Sequence, residues 1–134
     1  MKKDVKAEAI RYWWDKADSL EAARRDLAAQ SFSFAINRAY YAVFYAVSAL
    51  LLEEGRRFHK HSGVRATFNQ HLVKTGRVAR KHGDLYNRLF RDRQEGDYVE
   101  FVKFDEPYVR RQLEGCEEFL RDIRSLIKTV AEKP

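Results

Sequence analysis

Three short segments of this 134-residue chain hold the side chains best suited to bind an anion or to move a proton. They are Asn37-Arg38-Ala39-Tyr40-Tyr41-Ala42, His61-Ser62-Gly63-Val64 and Arg93-Gln94-Glu95-Gly96-Asp97-Tyr98. The first sets an arginine and aromatic rings into a stretch that is otherwise apolar. Because a buried arginine is costly unless an anion or a hydrogen-bonding group meets it, we expect the functional site in these segments.

Arg93 is the first candidate for binding a ligand, because helical spacing puts it one turn beyond Leu89 and Phe90, on the side that faces the core. Two roles are open for it. A guanidinium held by Asp97 could bind a phosphate through two parallel hydrogen bonds, with the Tyr98 phenol beside it. Asp97 could instead form an ion pair that only fastens the helix end, worth roughly a few tenths of a kcal/mol.

Arg38 poses a similar choice, since it could satisfy a carboxylate of the core or point into a cleft. His59 and His61 alternate in sequence, but no carboxylate or cysteine stands at a useful spacing from them, so we expect no metal and no cofactor. No glycine-rich phosphate loop, nucleophile elbow or carboxylate dyad is present in the sequence. The single Cys116 falls at a core-like helical position and is predicted to be a small buried side chain.

The net charge of +6 and the pI near 9.5 favour an anionic partner. Residues 56–93 form the basic pole of the chain, since they include all four histidines and only two acidic residues, Asp84 and Asp92. A solvated basic face without a partner explains the charge equally well. The longest apolar run, residues 46–52, is too short to span a bilayer, so we expect a cytoplasmic protein without membrane contact.

Helical periodicity and the scarcity of proline predict a single all-α domain over residues 1–134. The predicted helices cover about residues 4–29, 32–54, 63–74, 82–95 and 106–130, with a packed loop over 98–104. Serine in the stretch 30–33 and Ser62 are expected to cap the helices that follow them, as is Asp105, whereas Gly55 and Gly96 are expected to end the helices before them.

The second predicted helix is apolar nearly all round, so it is either the centre of the bundle or is shared with a second copy of the chain. We predict a homodimer in which Tyr41 or Tyr45 lies at or near the interface.

In combination, the three segments resemble those of HEPN domains, the helical nucleotide-binding module of higher eukaryotes and prokaryotes. The closer likeness is to a small stand-alone prokaryotic branch once filed as an uncharacterised UPF family, and it covers about residues 7–127. The resemblance implies an up-and-down bundle of four main helices plus one short helix, usually a homodimer. Members of the family are often encoded beside a small nucleotidyltransferase, and many are metal-independent ribonucleases that act as toxins or defence effectors. The resemblance therefore also implies a nucleotidyltransferase partner in a toxin-antitoxin or defence system.

One departure from the family pattern bears on activity. Nuclease members carry an arginine followed, four to six residues on, by a histidine at the end of the corresponding helix, whereas here Tyr98 stands at that distance from Arg93. Loss of the imidazole removes the group best suited to proton transfer near neutral pH. We therefore expect a domain that binds a nucleotide or an RNA phosphate and works with a nucleotidyltransferase.

Two alternatives stay open: an active metal-independent ribonuclease toxin in which His61 or Tyr98 replaces the missing histidine, and a non-catalytic dimeric interaction module. The expected ligand-binding residues are Arg38, Tyr41, His61, Ser62, Arg93, Asp97 and Tyr98. The ribonuclease alternative would use Arg93, Asp97, Tyr98 and His61 for catalysis.

Overall fold

The computed structural model describes the backbone of residues 2–56, 60–98 and 104–131, and within them the side chains of residues 5–56, 60–94 and 104–130. All regular structure in these ranges is helical, which confirms the all-α prediction. The elements are α1 (Lys2–Asp15), a 3₁₀ turn (Lys16–Asp18), α2 (Ser19–Ala28), α3 (Phe32–Glu53), α4 (His61–Phe68), a π-helical turn (Asn69–Val73), α5 (Arg80–Tyr98), α6 (Glu106–Leu126) and α7 (Lys128–Ala131).

Helix α3 lies at the centre of the bundle. This is one of the two arrangements that its apolar sequence predicts, the other being a helix shared with a second copy. It packs against α1, α2, α4, α5 and α6. Alanines recur along it and let the neighbouring helices approach closely; they are Ala35, Ala39, Ala42, Ala46 and Ala49, all fully buried. Most of the apolar surface of α3 is thus covered by other helices of the same chain, without a second copy.

By length and apolarity, α3 is the one helix in the described ranges that could cross a membrane. Most of it is buried inside the bundle, and the core helix of a helical domain has the same composition.

The predicted helix over residues 4–29 is wrong, because it is interrupted by the 3₁₀ turn between α1 and α2. The Ser19 hydroxyl donates to the Lys16 carbonyl oxygen (2.8 Å), a local bond that competes with the α-helical pattern. Ala17 within this tighter turn and Leu20 at the start of α2 are both buried. Serine-containing residues 30–33 do separate α2 from α3, and Ser31 lies at the N-cap, but its side chain makes no capping hydrogen bond.

The predicted helix ends are confirmed at Gly55 and Asp105. Gly55 follows α3 with a φ of +84°, a conformation that glycine adopts without steric cost. The Asp105 side chain accepts a hydrogen bond from the backbone N–H of Tyr108 (2.9 Å) and so caps α6.

The two other predicted ends are wrong. Helix α4 begins at His61 rather than after Ser62, because Lys60 is extended and its carbonyl oxygen already accepts from the N–H of Val64 (3.3 Å). Helix α5 continues through Gly96 to Tyr98, since a glycine inside a helix costs only about 1 kcal/mol and does not forbid helical backbone. Of the predicted loop over 98–104, residues 99–103 lie outside the described residues.

The predicted helix over 106–130 is interrupted at Ile127, whose backbone is extended between α6 and α7. Its predicted core positions are buried except for Leu120, which is half-buried while its neighbour Phe119 is fully buried. Cys116 is buried as expected, and burial raises the pKa of its thiol to about 12. The polar contacts that join α5 to α6 include two between buried or half-buried side chains. The Tyr108 hydroxyl donates to the buried Asp92 carboxylate, and Arg88 Nε donates to Gln112 Oε1 (2.8 Å).

Candidate phosphate-binding site

The Arg93 guanidinium is half-buried between α5 and α3. Its Nε donates to Oδ1 of Asn37 (3.2 Å) and its Nη2 donates to the hydroxyl of Tyr41 (3.1 Å). The central guanidinium carbon lies 5.1 Å from the Tyr40 ring centroid and 5.2 Å from that of Tyr41, within cation–π range. Among the side chains that the structure describes, no carboxylate forms an ion pair with Arg93. The described partners of its charge are therefore neutral groups.

Tyr40 connects Arg93 to His61. The fully buried Tyr40 hydroxyl shares a hydrogen bond with Nδ1 of His61 (3.2 Å), and the imidazole packs on the ring of Phe44 with centroids 4.1 Å apart. Burial raises the pKa of Tyr40 to about 12, while the charge of Arg93 acts in the opposite direction. Burial, followed by the charge of Arg93, lowers the pKa of His61 below its usual 6.5. The neutral form of the imidazole is therefore favoured.

We refer to Asn37, Tyr40, Tyr41, His61 and Arg93 together as the Arg93 cluster. A second cation lies close to it on α4. The Arg65 guanidinium lies over the Phe90 ring (4.1 Å to the centroid), and its Nη1 donates to Oδ1 of Asn87 (2.9 Å). Its buried Nε has no hydrogen-bond partner within the described residues. The charge of Arg65 also lowers the pKa of Tyr40, less strongly than that of Arg93.

Arg38 lies beside the Arg93 cluster, in a groove of about 360 Å³ along α3. We name this feature the Phe34 groove; its lining residues are Ser19, Phe34, Asn37, Arg38, Tyr41 and Tyr45. Arg38 Nε donates to Oδ2 of Asp26 on α2 (2.6 Å), and half of the Arg38 side chain is exposed. The arginine is therefore paired with a carboxylate near the surface and also lines a cleft.

The structure brings together three of the expected ligand-binding residues, Tyr41, His61 and Arg93, and places Arg38 next to Tyr41. Ser62 is exposed in the first turn of α4. Asp97 and Tyr98 belong to the last turn of α5, and their side chains lie outside the described residues. The two roles considered for Asp97 both stay predictions.

Three residues around the site were not among the expected ones: Asn37, Tyr40 and Arg65. Asn37 precedes Tyr41 by four residues, so both lie on one face of α3, and this spacing could have identified it. A tyrosine hydroxyl inside a helix core needs a polar partner, which points to Tyr40. Arg65 follows His61 by four residues on α4 and would have been found in the same way.

Comparison with known proteins shows the family to which the chain is similar. A family model described as HEPN domain matches residues 10–132. A UPF0332 protein of Thermotoga maritima is 46% identical over 124 residues, which are 92% of this chain and 94% of that protein. Two proteins of Methanocaldococcus jannaschii, each named "putative toxin", are 34% identical (71% of this chain, 67% of that protein) and 29% identical (74% of each) over 99 residues. The chain belongs to the HEPN domain family.

Proposed function

We propose that this HEPN domain binds the phosphate of a nucleotide or of RNA through the Arg93 cluster. The observation that carries the proposal is the half-buried guanidinium of Arg93, which is oriented by Asn37 and Tyr41 and has no carboxylate partner among the described side chains. Neutral partners orient a guanidinium without neutralising it, so the described contacts leave its charge available to an anion. A guanidinium also matches phosphate geometry through paired hydrogen bonds.

The electrostatics around the cluster support an anionic ligand. Arg65 adds a second positive charge on the α4 side, and Arg38 lies on the groove side with Asp26 as its carboxylate. The whole chain carries a net charge of +6, which would attract a polyanion from a distance. Because phosphate contacts release counterions, binding should weaken as the salt concentration rises.

We place this binding activity in a toxin-type system that also contains a nucleotidyltransferase. The relatives named as toxins support the toxin part of the proposal, and the nucleotidyltransferase partner rests on the resemblance to stand-alone HEPN proteins. We also propose that two copies associate. The exposed apolar side chains Val5 and Tyr12 on α1 favour such a contact, and Lys16 links Tyr12 to Tyr45 at its edge.

Equilibrium titrations with fluorescein-labelled RNA and with ATP test the proposal. We expect binding of at least one of them at about 50 mM salt and a clear loss of affinity at about 200 mM. Absence of binding to both ligands at low salt would refute phosphate binding and favour an interaction module without a ligand.

His61 favours a second candidate function, cleavage of RNA. A neutral imidazole can accept a proton, and here it lies in the same cluster as a guanidinium that could stabilise charge on the phosphate. In the tautomer in which Nδ1–H donates to the Tyr40 oxygen, Nε2 carries no hydrogen and is the nitrogen that can accept a proton. In such a reaction, Nε2 would take the proton of the ribose 2′-hydroxyl as that oxygen attacks the phosphorus. The P–O5′ bond would break to leave a 2′,3′-cyclic phosphate, and the departing 5′-oxygen would take a proton from solvent.

The cleavage candidate is tested by incubating the purified protein with labelled RNA in the presence of a metal chelator. If it is correct, the RNA is cleaved, and both His61→Gln and Arg93→Ala lose the activity while keeping their helical content. If the parent protein and His61→Gln leave the RNA equally intact, the domain binds without cleaving.

A further inference from the structure

The Phe34 groove has a composition that phosphate binding alone does not explain. Phe34, Tyr41 and Tyr45 lie along one face of α3 at helical spacing, and 66% of the Phe34 side chain is exposed to solvent. Large apolar side chains this exposed are few in the described part of the chain; the others are Val5 and Tyr12 on α1. A volume of about 360 Å³ lies within the range of small-molecule sites.

Positive charges surround these aromatic rings. Arg93 donates to Asn37 and Tyr41, both of which line the groove, so the Arg93 cluster and the groove share two side chains. On another side, Nζ of Lys16 lies 5.3 Å from the centroid of the Tyr45 ring. Arg38 lines the groove itself, with the Asp26 carboxylate as its partner. A ligand in the groove would therefore meet aromatic faces next to an excess of cations.

We propose that the Phe34 groove holds an unpaired base of the nucleotide or RNA whose phosphate Arg93 binds, an inference that rests on the proposed function. Proteins that bind single-stranded nucleic acid combine the same two elements, aromatic side chains that stack on bases and cations that contact the backbone. Stacking on Phe34 accommodates any base, because every base has a flat π-face.

The polar groups of the groove suit a base edge. Asn37 uses its Oδ1 to accept from Arg93, and its amide nitrogen, a hydrogen-bond donor, has no partner within the described residues. A base in a duplex could not enter, since its faces and its pairing edge are covered. The inferred substrate class is therefore single-stranded RNA or a free nucleotide.

Two probes of equal charge test this inference: a labelled single-stranded RNA hexamer and an abasic ribose-phosphate hexamer of the same length. We expect the parent protein to bind the RNA hexamer about tenfold more tightly than the abasic one, because the base adds stacking. Phe34→Leu keeps the apolar bulk but loses the ring, so it should remove most of this difference and leave the abasic affinity unchanged. Phe34→Tyr, the matched control, should retain the difference.

The outcomes separate the two proposals. Equal affinity of the parent protein for both hexamers overturns base binding and leaves phosphate binding intact. Binding of neither hexamer at low salt overturns the proposed function and this inference with it. A third outcome is that Phe34→Leu lowers the affinity for both hexamers equally and halves the mass of the protein measured by sedimentation. The groove is then a contact between two copies, which likewise overturns base binding.

Discussion

Arg93 and His61 affect each other through charge, although Tyr40 and Tyr41 lie between them. The positive charge of Arg93 disfavours protonation of the imidazole and adds to the effect of burial. At neutral pH the site thus contains one permanent cation and one uncharged base. This combination suits an anionic ligand and would also permit proton abstraction, so the residues alone are compatible with binding and with cleavage.

The lowered pKa of His61 gives a prediction about stability. Because the pKa of His61 is lower in the folded protein, the unfolded chain takes up a proton more readily. The contribution of neutral His61 to the free energy of unfolding is therefore present above pH 6.5 and is lost as the pH falls through the folded-state pKa. We expect the Tm of the parent protein to fall between pH 7.5 and about pH 5.5. His61→Gln should show a smaller fall in thermal unfolding followed by circular dichroism. An equal fall in both proteins would contradict the account of His61.

At the scale of the elements, the site depends on how α5 is rotated against α3. One turn of α5 contributes Asp92 to the contact with Tyr108 on α6 and presents the next residue, Arg93, to α3. Asp92 is only 4% exposed, and Arg88 on the same helix donates to Gln112 of α6. These contacts fix the rotation of α5 about its own axis. The position of α6 therefore bears directly on the orientation of Arg93.

The cap of α6 should contribute measurably to stability. Asp105→Ala removes the acceptor for the N–H of Tyr108 and should lower the free energy of unfolding by about 0.5–2 kcal/mol. Urea unfolding followed by circular dichroism measures the change. Glu114→Ala, which removes an exposed acid from the middle of the same helix, is the control and should change stability by less than about 0.5 kcal/mol. Equal effects of the two substitutions would show that the cap does not stabilise the helix.

The sequence predicts the helices and the core well, because repeated apolar spacing identifies the buried face of each helix. Val64, Phe68 and Leu72 recur every four residues, for example, and all three are buried. Helix ends were less predictable, because local preferences such as that of Gly96 are weaker than the continuation of a helix packed on its neighbours.

The candidate site was only partly predictable for a related reason. Periodicity places Arg93 on the inner side of α5 but does not say which residues of a distant helix it meets. Its partner Asn37 is 56 residues away in sequence, and their contact depends on the crossing of α3 and α5. Spacing within one helix likewise does not show that Tyr41 and His61 lie near Arg93, because these contacts join different helices.

At the scale of the whole molecule, the proposed homodimer must rest on surfaces that one bundle leaves exposed. Helix α3 is largely covered within the chain apart from the Phe34 groove, so the contact is expected to involve α1 and to place Tyr45 near its edge. Sedimentation at micromolar concentration should give a species of twice 15.8 kDa. Tyr12→Asp should shift the protein toward the monomer, since a charge would be buried in the contact. A single species of 15.8 kDa in the parent protein would contradict the dimer.

The central claim is that Arg93 binds the phosphate of the ligand, and binding of labelled RNA by Arg93→Ala at low salt tests it most directly. The matched control is Arg110→Ala, which removes the same charge from an exposed arginine of α6 that pairs with Glu106. We predict that Arg93→Ala weakens binding by at least about tenfold, as expected for the loss of charge-assisted hydrogen bonds, while its Tm and helical content stay near those of the parent protein. Arg110→Ala should change the affinity by less than about twofold. A lowered Tm with unchanged affinity in Arg93→Ala would instead identify Arg93 as a structural residue and contradict the claim.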